Sequence, residues 1–271
     1  MTSKQIVLAS PHGLPSSENF RFEDRETDIF EPDTDYNSIA QRYNNTEQDA
    51  VTLWRLGYNN LISYLNPIVN KTILDYGCGS GTFCRFLSEK KAIVTGVDIS
   101  ENMIKVAKEI NTDGIGYFQI ASGNLDFLPA NTFDYVVSNF VFCTISSRQE
   151  IIKVLNSINR VLKTKGSLII LNTNWDKSNG QEFVSFKLEF SKSLYPGKQV
   201  TAVIKTDPPI FLNDYYWSKA NYSDLLTKAG FEIQGISEPL AMGNHVPWLA
   251  EKSFPPYYII DSTKYSPSAK P

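Results

Sequence analysis

The chain has 271 residues, of which 42% are hydrophobic and 20% charged, a composition that excludes wholesale disorder and allows a sizeable core. Its net charge of −3 offers no general attraction for nucleic acid or an anionic membrane. No apolar run approaches the roughly 20 residues that span a bilayer, residues 6–9 are too short an apolar stretch for a secretory signal, and the three cysteines lack metal-ligand spacing. We therefore expect a cytoplasmic protein without a catalytic metal.

The N-terminal part of the chain is predicted to be a flexible tail followed by helices. Residues 1–35 contain several prolines and show no clear periodicity, which is typical of a tail. Over residues 36–66 apolar side chains recur at helical spacing, and Pro67 ends the pattern. The residues on this helical face are Trp54, Tyr58, Leu61 and Leu65.

From residue 72 onward, short apolar runs alternate with amphipathic stretches. Strands are predicted at 72–76, 93–98, 117–121, 133–139 and 167–173. Helices are predicted at 82–90, after the N-cap Ser100, and at 149–163. This alternation predicts an α/β fold with a doubly wound parallel sheet.

The alternation is interrupted at 174–216, where only residues 200–204 show a strand pattern. We expect this segment to be an insertion that caps the sheet. After it the sequence predicts a helix at 218–229, strands at 231–236 and 257–262, and a polar tail at 263–271.

The most informative segment is ILDYGCGSGTF at 73–83, where the first predicted strand turns into the first helix. Glycines 77, 79 and 81 permit positive φ and let a ligand approach the bare backbone. The dinucleotide fingerprint needs glycine at the sixth position of such a turn, and here that position is Thr82. Asp75 lies two residues before the first glycine, where a carboxylate suits a ligand with an ammonium group better than an anionic pyrophosphate.

A second carboxylate, Asp98, ends the second predicted strand. In this position a carboxylate can accept hydrogen bonds from both ribose hydroxyls of an adenosine ligand. The alternative is that Asp98 only caps the following helix. Its combination with the glycine turn favours the ligand-binding role.

Together these residues resemble the class I S-adenosylmethionine-dependent methyltransferases of small-molecule type. The resemblance covers about residues 36–262 and rests on LDYGCGSG, VTGVDIS, GNLDFLP followed by FDYVVSNF, and WSKANYSDLLTKAGFEI, which occur in the order and spacing of the family. It implies a Rossmann-like sheet of seven strands with an antiparallel last strand. It also implies S-adenosyl-L-methionine as cofactor and S-adenosyl-L-homocysteine as product, but leaves the methyl acceptor open.

The resemblance further implies which residues bind the cofactor. The backbone at Gly77 and Gly79 is expected to pass along the methionine part, with Asp75 near the ammonium group and Asp98 at the ribose. The other expected contacts are Ile99 on the adenine, Met103, Asn124 at the adenine amino group, the amide of Leu125 at the neighbouring ring nitrogen, and the backbone of Asn139 at the methionyl end.

DYNSIAQRYN at 35–44 resembles the N-terminal lid of small-molecule methyltransferases. We expect residues 36–66 to form lid helices, in which Tyr36 and Tyr43 close over the sulfonium. Ordinary helix packing is the alternative for both tyrosines.

The acceptor pocket is expected at the carboxyl ends of the parallel strands, where ligands bind in open α/β sheets. Two segments begin where strands end at that edge of the sheet, the insertion at 174–216 and a roof loop at 237–256. Both should therefore cover the pocket. Aromatic side chains of these segments could line it, and we single out Tyr216, Trp217 and Trp248.

His245, in the roof loop, is the only histidine placed to act as a base. A loop histidine satisfied by a backbone group is the alternative. Many members of the family use a histidine just after the fourth strand, but this chain has Cys143-Thr144 there, which makes a base borrowed from the family doubtful.

We therefore predict methyl transfer to an oxygen or nitrogen of a small metabolite, a class that includes natural-product intermediates. The donor is already activated, so alignment is the main task, and a base is needed only where the nucleophile must lose a proton. Carbon methylation of an activated ring or enolate is the alternative, and a nicotinamide-dependent oxidoreductase is a further one. We expect neither nucleic acid nor a membrane as partner, and a monomer or homodimer.

Overall fold

A computed structural model describes residues 34–111, 114–120 and 123–266 of the chain. Most of the predicted N-terminal tail, residues 1–33, and the last five residues of the predicted C-terminal tail lie outside these ranges. No helix within the described ranges is long and apolar enough to cross a bilayer.

A mixed sheet forms the centre of the fold. The strands of the described residues are β1 (Thr72–Tyr76), β2 (Ile93–Asp98), β3 (Gly116–Gln119), β4 (Phe133–Asn139), β5 (Leu162–Thr173), β6 (Phe186–Leu188), β7 (Lys198–Ile204), β8 (Ile210–Tyr216), β9 (Phe231–Ser237) and β10 (Tyr257–Lys264). Seven of them form one sheet in the order β3-β2-β1-β4-β5-β10-β9. β10 runs antiparallel to β5 and β9, whereas β1 pairs in parallel with β2 and β4. The predicted doubly wound sheet with an antiparallel last strand is confirmed.

Helices cover both faces of this sheet. They are α1 (Tyr36–Asp49), α2 (Asn59–Leu61), α3 (Thr82–Glu89), α4 (Glu101–Ile110), α5 (Arg148–Val161), α6 (Trp175–Ser178) and α7 (Lys219–Lys228), with a π-helical turn at Leu53–Tyr58. Serine side chains cap three of the starts, at Ser100, Ser147 and Ser218. The Ser100 hydroxyl accepts from the amide of Met103 at 3.2 Å, as predicted for this N-cap, and Ser218 forms a capping box with Asn221.

Two predicted boundaries are wrong. The helix predicted to reach residue 163 ends at Val161 and passes directly into β5, because the backbone of Leu162 is already extended and pairs with Phe133 of β4. The predicted start of the C-terminal tail, at residue 263, is also too early. Thr263 and Lys264 still belong to β10, where they pair with residues of β9.

The segment 174–216 contains a second, three-stranded antiparallel sheet in the order β6-β7-β8. The strand predicted at 200–204 lies within β7, whereas β6 and β8 were not predicted. β7 and β8 are aligned in register from Lys198 opposite Tyr216 to Ile204 opposite Ile210. We call β6–β8 the small sheet.

The core consists of two large apolar clusters. One contains residues of the π-helical turn, α3, the small sheet and β10, including Leu56, Phe83, Leu212 and Tyr257. The other contains residues of α5 and α7, including Leu155 and Leu225. The π-helical turn and the small sheet therefore share one continuous core with one face of the main sheet, and α5 and α7 pack on the other face.

Candidate functional site

The turn between β1 and α3 exposes backbone that a ligand could approach. Gly77 and Gly79 have φ of 78° and 52°, a region that strongly favours glycine. The turn is held because the amides of Gly77 and Cys78 both donate to the carbonyl of Val97, at 2.8 and 2.9 Å. A Cβ atom on Gly79 would have no protein atom nearer than the Met103 sulfur, at 4.0 Å, so this residue leaves open space beside it.

Asp98 is fixed at the end of β2 by two backbone amides. Its Oδ2 accepts from Gly79 at 2.8 Å and its Oδ1 from Ser100 at 2.9 Å. Burial raises the pKa of the Asp98 carboxyl, and these amide hydrogen bonds partly offset that rise. Each carboxylate oxygen retains acceptor capacity for a further hydroxyl group.

Beside this turn lies a cleft of about 820 Å³, counting the space open to solvent. We call it the first cavity. It brings together eight of the predicted cofactor residues: Tyr36, Tyr43, Gly77, Gly79, Asp98, Ile99, Met103 and Asn139. The side-chain oxygen Oδ1 of Asn139 is buried without a hydrogen-bond partner. Tyr76, Ile120 and Val141 line it as well and were not predicted.

Three predicted cofactor contacts lie elsewhere. Asp75 is buried beneath the turn, where its Oδ2 accepts from the Cys84 thiol at 3.2 Å, and burial raises the pKa of its carboxyl to about 7. The exposed Asn124 uses its side-chain oxygen to accept from the amide of Asp126 at 2.7 Å. The Leu125 amide donates to the Ser157 hydroxyl at 3.2 Å, and the Leu125 side chain is fully buried.

A second cavity of about 670 Å³, again counting open space, adjoins the first. Tyr36, Tyr43 and Phe140 line both cavities. Phe140 has a φ of 58°, an uncommon conformation for this residue type, and its amide donates to Leu171 at 2.8 Å. The three rings therefore stand between the two cavities.

The second cavity is largely apolar but contains two carboxylates. Its further lining comes from α1, the π-helical turn, β5, the small sheet, its preceding loop and β10: Thr46, Glu47, Ala50, Leu53, Thr173, Ser185, Phe186, Ala202, Ile204, Leu212, Asp214 and Tyr257. Burial raises the pKa of Asp214 to about 7, and the neighbouring Cys143 thiol, which donates to the carbonyl of Phe140 at 3.1 Å, partly opposes this. Burial also raises the pKa of Glu47, against a hydrogen bond donated by the Tyr58 hydroxyl.

The residues predicted for the acceptor pocket line neither cavity. Trp217 is buried in the core with its indole NH donating to Ile145 at 2.8 Å. The Tyr216 hydroxyl donates to Asp176. Trp248 packs partly buried against the apolar core, and His245 is exposed on the loop. The structure therefore gives no support for His245 as a base.

Sequence reasoning missed Asp214 although a signal was available. In β8 the side chains at Ile210, Leu212, Asp214 and Tyr216 are all buried. Period-two alternation would have placed Asp214 on this apolar face, where a carboxylate needs an explanation.

Comparisons with known proteins agree with this geometry. Residues 74–170 match the family described as the methyltransferase domain. The chain is 34% identical over 163 residues to the N-demethylindolmycin N-methyltransferase of Streptomyces griseus, an alignment that covers 59% of this chain and 68% of that protein. It is 30% identical over 150 residues to a demethylmenaquinone methyltransferase of Staphylococcus epidermidis, covering 52% of this chain and 59% of that one.

A solved structure shows the same fold. The S-adenosylmethionine-dependent methyltransferase of Mesorhizobium loti superimposes with a TM-score of 0.59 at 19% identity, over 79% of this chain and 99% of that one.

The sheet order and the glycine turn thus define a methyltransferase of the Rossmann-like class. The chain belongs to the class I S-adenosylmethionine-dependent methyltransferases. The first cavity fits the cofactor of that family: it offers open backbone at Gly79, a fixed carboxylate at Asp98, and an unpartnered buried amide oxygen at Asn139.

Proposed function

We propose that this enzyme transfers a methyl group from S-adenosyl-L-methionine to an oxygen or nitrogen of a small molecule held in the second cavity. The observation that carries the proposal is the wall that the two cavities share. Because Tyr36, Tyr43 and Phe140 line both, a donor in one cavity and an acceptor in the other would meet at these rings.

Within this proposal, the lining residues of the first cavity hold the cofactor. Asp98 accepts hydrogen bonds from the ribose hydroxyls, Ile99 and Met103 pack on the adenine, and the backbone at Gly79 and Asn139 borders the methionine part. S-adenosyl-L-methionine, when bound, supplies a methyl group that is already activated on a sulfonium. The residues of this chain then have to align the acceptor and exclude water.

The cover of the second cavity comes from three segments far apart in sequence. We propose that residues 36–66 act as a lid, that 174–216 is the substrate cap, and that 237–256 supports the cap. Within 237–256, the residue that supports the cap is Glu251. This buried residue accepts from the Thr52 hydroxyl at 2.9 Å and from the amide of Val184 at 2.6 Å, which joins all three segments.

The relatives support a small-molecule acceptor through their names, which refer to indolmycin and menaquinone precursors. The apolar lining of the second cavity agrees with such acceptors, since ligand pockets are mostly apolar with a few placed polar groups.

Calorimetric titration of the purified protein with S-adenosyl-L-homocysteine, with NAD as control, tests the proposal. Binding of the former alone, followed by transfer of label from methyl-labelled donor to a small-molecule acceptor, is the expected result. A folded protein that binds neither compound, or that binds NAD instead, would contradict it.

A further inference from the structure

The second cavity is lined by acidic and aromatic side chains. Among the lining residues that the structure describes, Glu47 and Asp214 are acidic and none is Lys, Arg or His. The lining also includes the aromatic rings of Tyr36, Tyr43, Phe140, Phe186 and Tyr257. Carboxylates and ring faces both attract a cation, and both disfavour an anion.

Within the part of the chain that the structure describes, no Lys, Arg or His lines the cavity beside Asp214 or shifts its pKa. The side chain is only 5% exposed. Four titratable groups interact electrostatically with the Asp214 carboxylate: the Cys143 thiol and the hydroxyls of Tyr36, Tyr43 and Tyr222. All of these are neutral near pH 7, because burial raises their pKa values further. An isolated buried carboxylate is costly unless a partner compensates it.

Glu47, the other carboxylate of this cavity, is differently placed. It accepts a hydrogen bond from Tyr58, and Ser80, Thr82 and Arg85 lower the pKa of its carboxyl against the effect of burial. Its charge is therefore partly compensated by the turn that carries the first cavity. Asp214 is the carboxylate of this cavity that remains available for a ligand.

We propose that the acceptor is an aromatic or similarly apolar amine, which enters the second cavity as an ammonium ion, and that Asp214 binds this group and removes its proton as the general base. This inference rests on the proposed function and narrows it to a nitrogen nucleophile.

The step balances as follows. The ammonium nitrogen gives one proton to the Asp214 carboxylate and regains its lone pair. That pair forms the new nitrogen–carbon bond, the bond between carbon and the sulfonium sulfur breaks, and its electrons stay on sulfur as a neutral thioether. The product leaves as a methylated ammonium ion. Asp214 then passes its proton to water, so one proton is released for each turnover.

Burial supports this role, since it raises the pKa of Asp214 to about 7. A carboxyl with its pKa near the working pH can both take up and release a proton. The cost of ionising it is also reduced when a cation binds beside it.

The test compares two probes of equal shape, 2-phenylethylamine and 2-phenylethanol, by calorimetry on protein saturated with S-adenosyl-L-homocysteine. We expect the amine, which is protonated at pH 7.5, to bind at least about ten-fold more tightly than the alcohol. The reason is that a hydrogen bond between an ammonium group and a carboxylate is stronger than one from a neutral hydroxyl. Asp214→Asn, which keeps the shape of the side chain, should abolish this preference and leave the affinity for S-adenosyl-L-homocysteine unchanged. Asp224→Asn, at an exposed carboxylate outside both cavities, is the matched control.

A second measurement uses the pH. The affinity for the amine should rise between about pH 6 and 8 as Asp214 ionises, with an inflection near 7. The Cys143 thiol lowers the pKa of Asp214, so in Cys143→Ala the inflection should move to higher pH. This shift would not occur if Asp214 were only structural.

The outcomes separate the two proposals. The amine inference is overturned, while S-adenosyl-L-homocysteine still binds, if the protein binds the alcohol as tightly as the amine or more tightly, or binds neither. It is also overturned if the Asp214→Asn variant keeps the preference for the amine. Failure of folded protein to bind S-adenosyl-L-homocysteine would instead overturn the proposed methyl transfer.

Discussion

Asp98 and Gly79 are joined by a hydrogen bond of 2.8 Å from the glycine amide to the carboxylate. The contact ties the end of β2 to the turn after β1, so the same side chain that would hold a ribose also shapes the backbone beside it. Because two backbone amides fix the Asp98 carboxylate, little ordering of this side chain is required when the cofactor binds.

Asp98→Ala should therefore weaken the binding of S-adenosyl-L-homocysteine strongly. Loss of charged hydrogen bonds to the ribose is expected to cost about 2–4 kcal/mol, which is about 30-fold or more in affinity. Calorimetric titration measures the change. Asp126→Ala, at a carboxylate whose side chain is 80% exposed, is the control and should bind normally. An unchanged affinity in Asp98→Ala would contradict the role given to this residue.

Alanine at Gly77 and alanine at Gly79 should have different main effects. Both residues have positive φ, so each substitution strains the backbone by about 1–3 kcal/mol. A Cβ on Gly79 meets no protein atom closer than 4.0 Å, whereas a Cβ on Gly77 would lie 2.0 Å from the Val141 side chain. Gly79→Ala should thus mainly reduce cofactor affinity, because the methyl group enters the first cavity.

Gly77→Ala should mainly reduce stability, since Val141 has to move and overpacking adds about 1–3 kcal/mol to the backbone strain. Denaturant unfolding and titration with S-adenosyl-L-homocysteine, carried out on both variants, separate the two effects. Equal losses of stability, with equal affinities, would show that the Cβ positions do not decide the outcome.

The first cavity was largely predictable because its residues lie in short, contiguous motifs. The glycine turn and Asp98 follow two adjacent strands, so sequence order alone places Gly79 and Asp98 at one edge of the sheet. Leu125 shows where assigning roles from the family's motifs reaches its limit. Its amide was expected at the adenine but donates to the Ser157 hydroxyl. Which partner a loop amide takes depends on a helix packed against it, and the motif carries no information on that helix.

The second cavity could not be predicted in the same way. Its carboxylates Glu47 and Asp214 are far apart in sequence, on α1 and β8, and come together only in the lining of the folded cavity. The aromatic residues predicted for the acceptor pocket do not line this cavity, and Trp217 donates its indole NH to Ile145 in the core. Large aromatic side chains are most often used as core. Alternation along β8 indicates that Asp214 lies on the buried face, but not that this face lines a cavity together with α1.

Glu238 should make stability depend on pH in the acid range. It accepts from Asn174 at 2.9 Å and from Lys177 at 2.5 Å, and Lys219 lies 3.1 Å away. Burial alone would raise the pKa of Glu238, but these three groups outweigh it and lower the pKa to about 2. Because the pKa is lower in the folded than in the unfolded chain, the contribution is complete above about pH 5 and is lost as the pH falls towards 2.

The magnitude should be about 1–2 kcal/mol, below the full linkage value, since Lys177 is 56% exposed and solvent screens its charge. Urea unfolding of the wild type and of Glu238→Gln at pH 7 and pH 3.5 measures it. The difference in free energy of unfolding between the two proteins should shrink as the pH falls. A difference that stays constant with pH would contradict the assignment, whatever other carboxylates contribute.

Glu251 should matter for stability and for the acceptor, but not for the cofactor. The residue is fully buried, and its two oxygens accept from Thr52, Val184 and Leu249 at 2.6–2.9 Å. In Glu251→Gln the new amide group has to face one of these donors. An unsatisfied buried donor costs about 1–3 kcal/mol, so the free energy of unfolding should fall by this amount.

Because this network joins the π-helical turn, the loop before the small sheet and the roof loop, its loss should loosen the walls of the second cavity. The affinity for a probe amine should fall several-fold, while that for S-adenosyl-L-homocysteine remains unchanged, since Glu251 lines neither cavity. Glu232→Gln, at an exposed glutamate on β9, is the matched control. A variant that loses both affinities in parallel would show that Glu251 supports the whole domain and has no particular role in the cap.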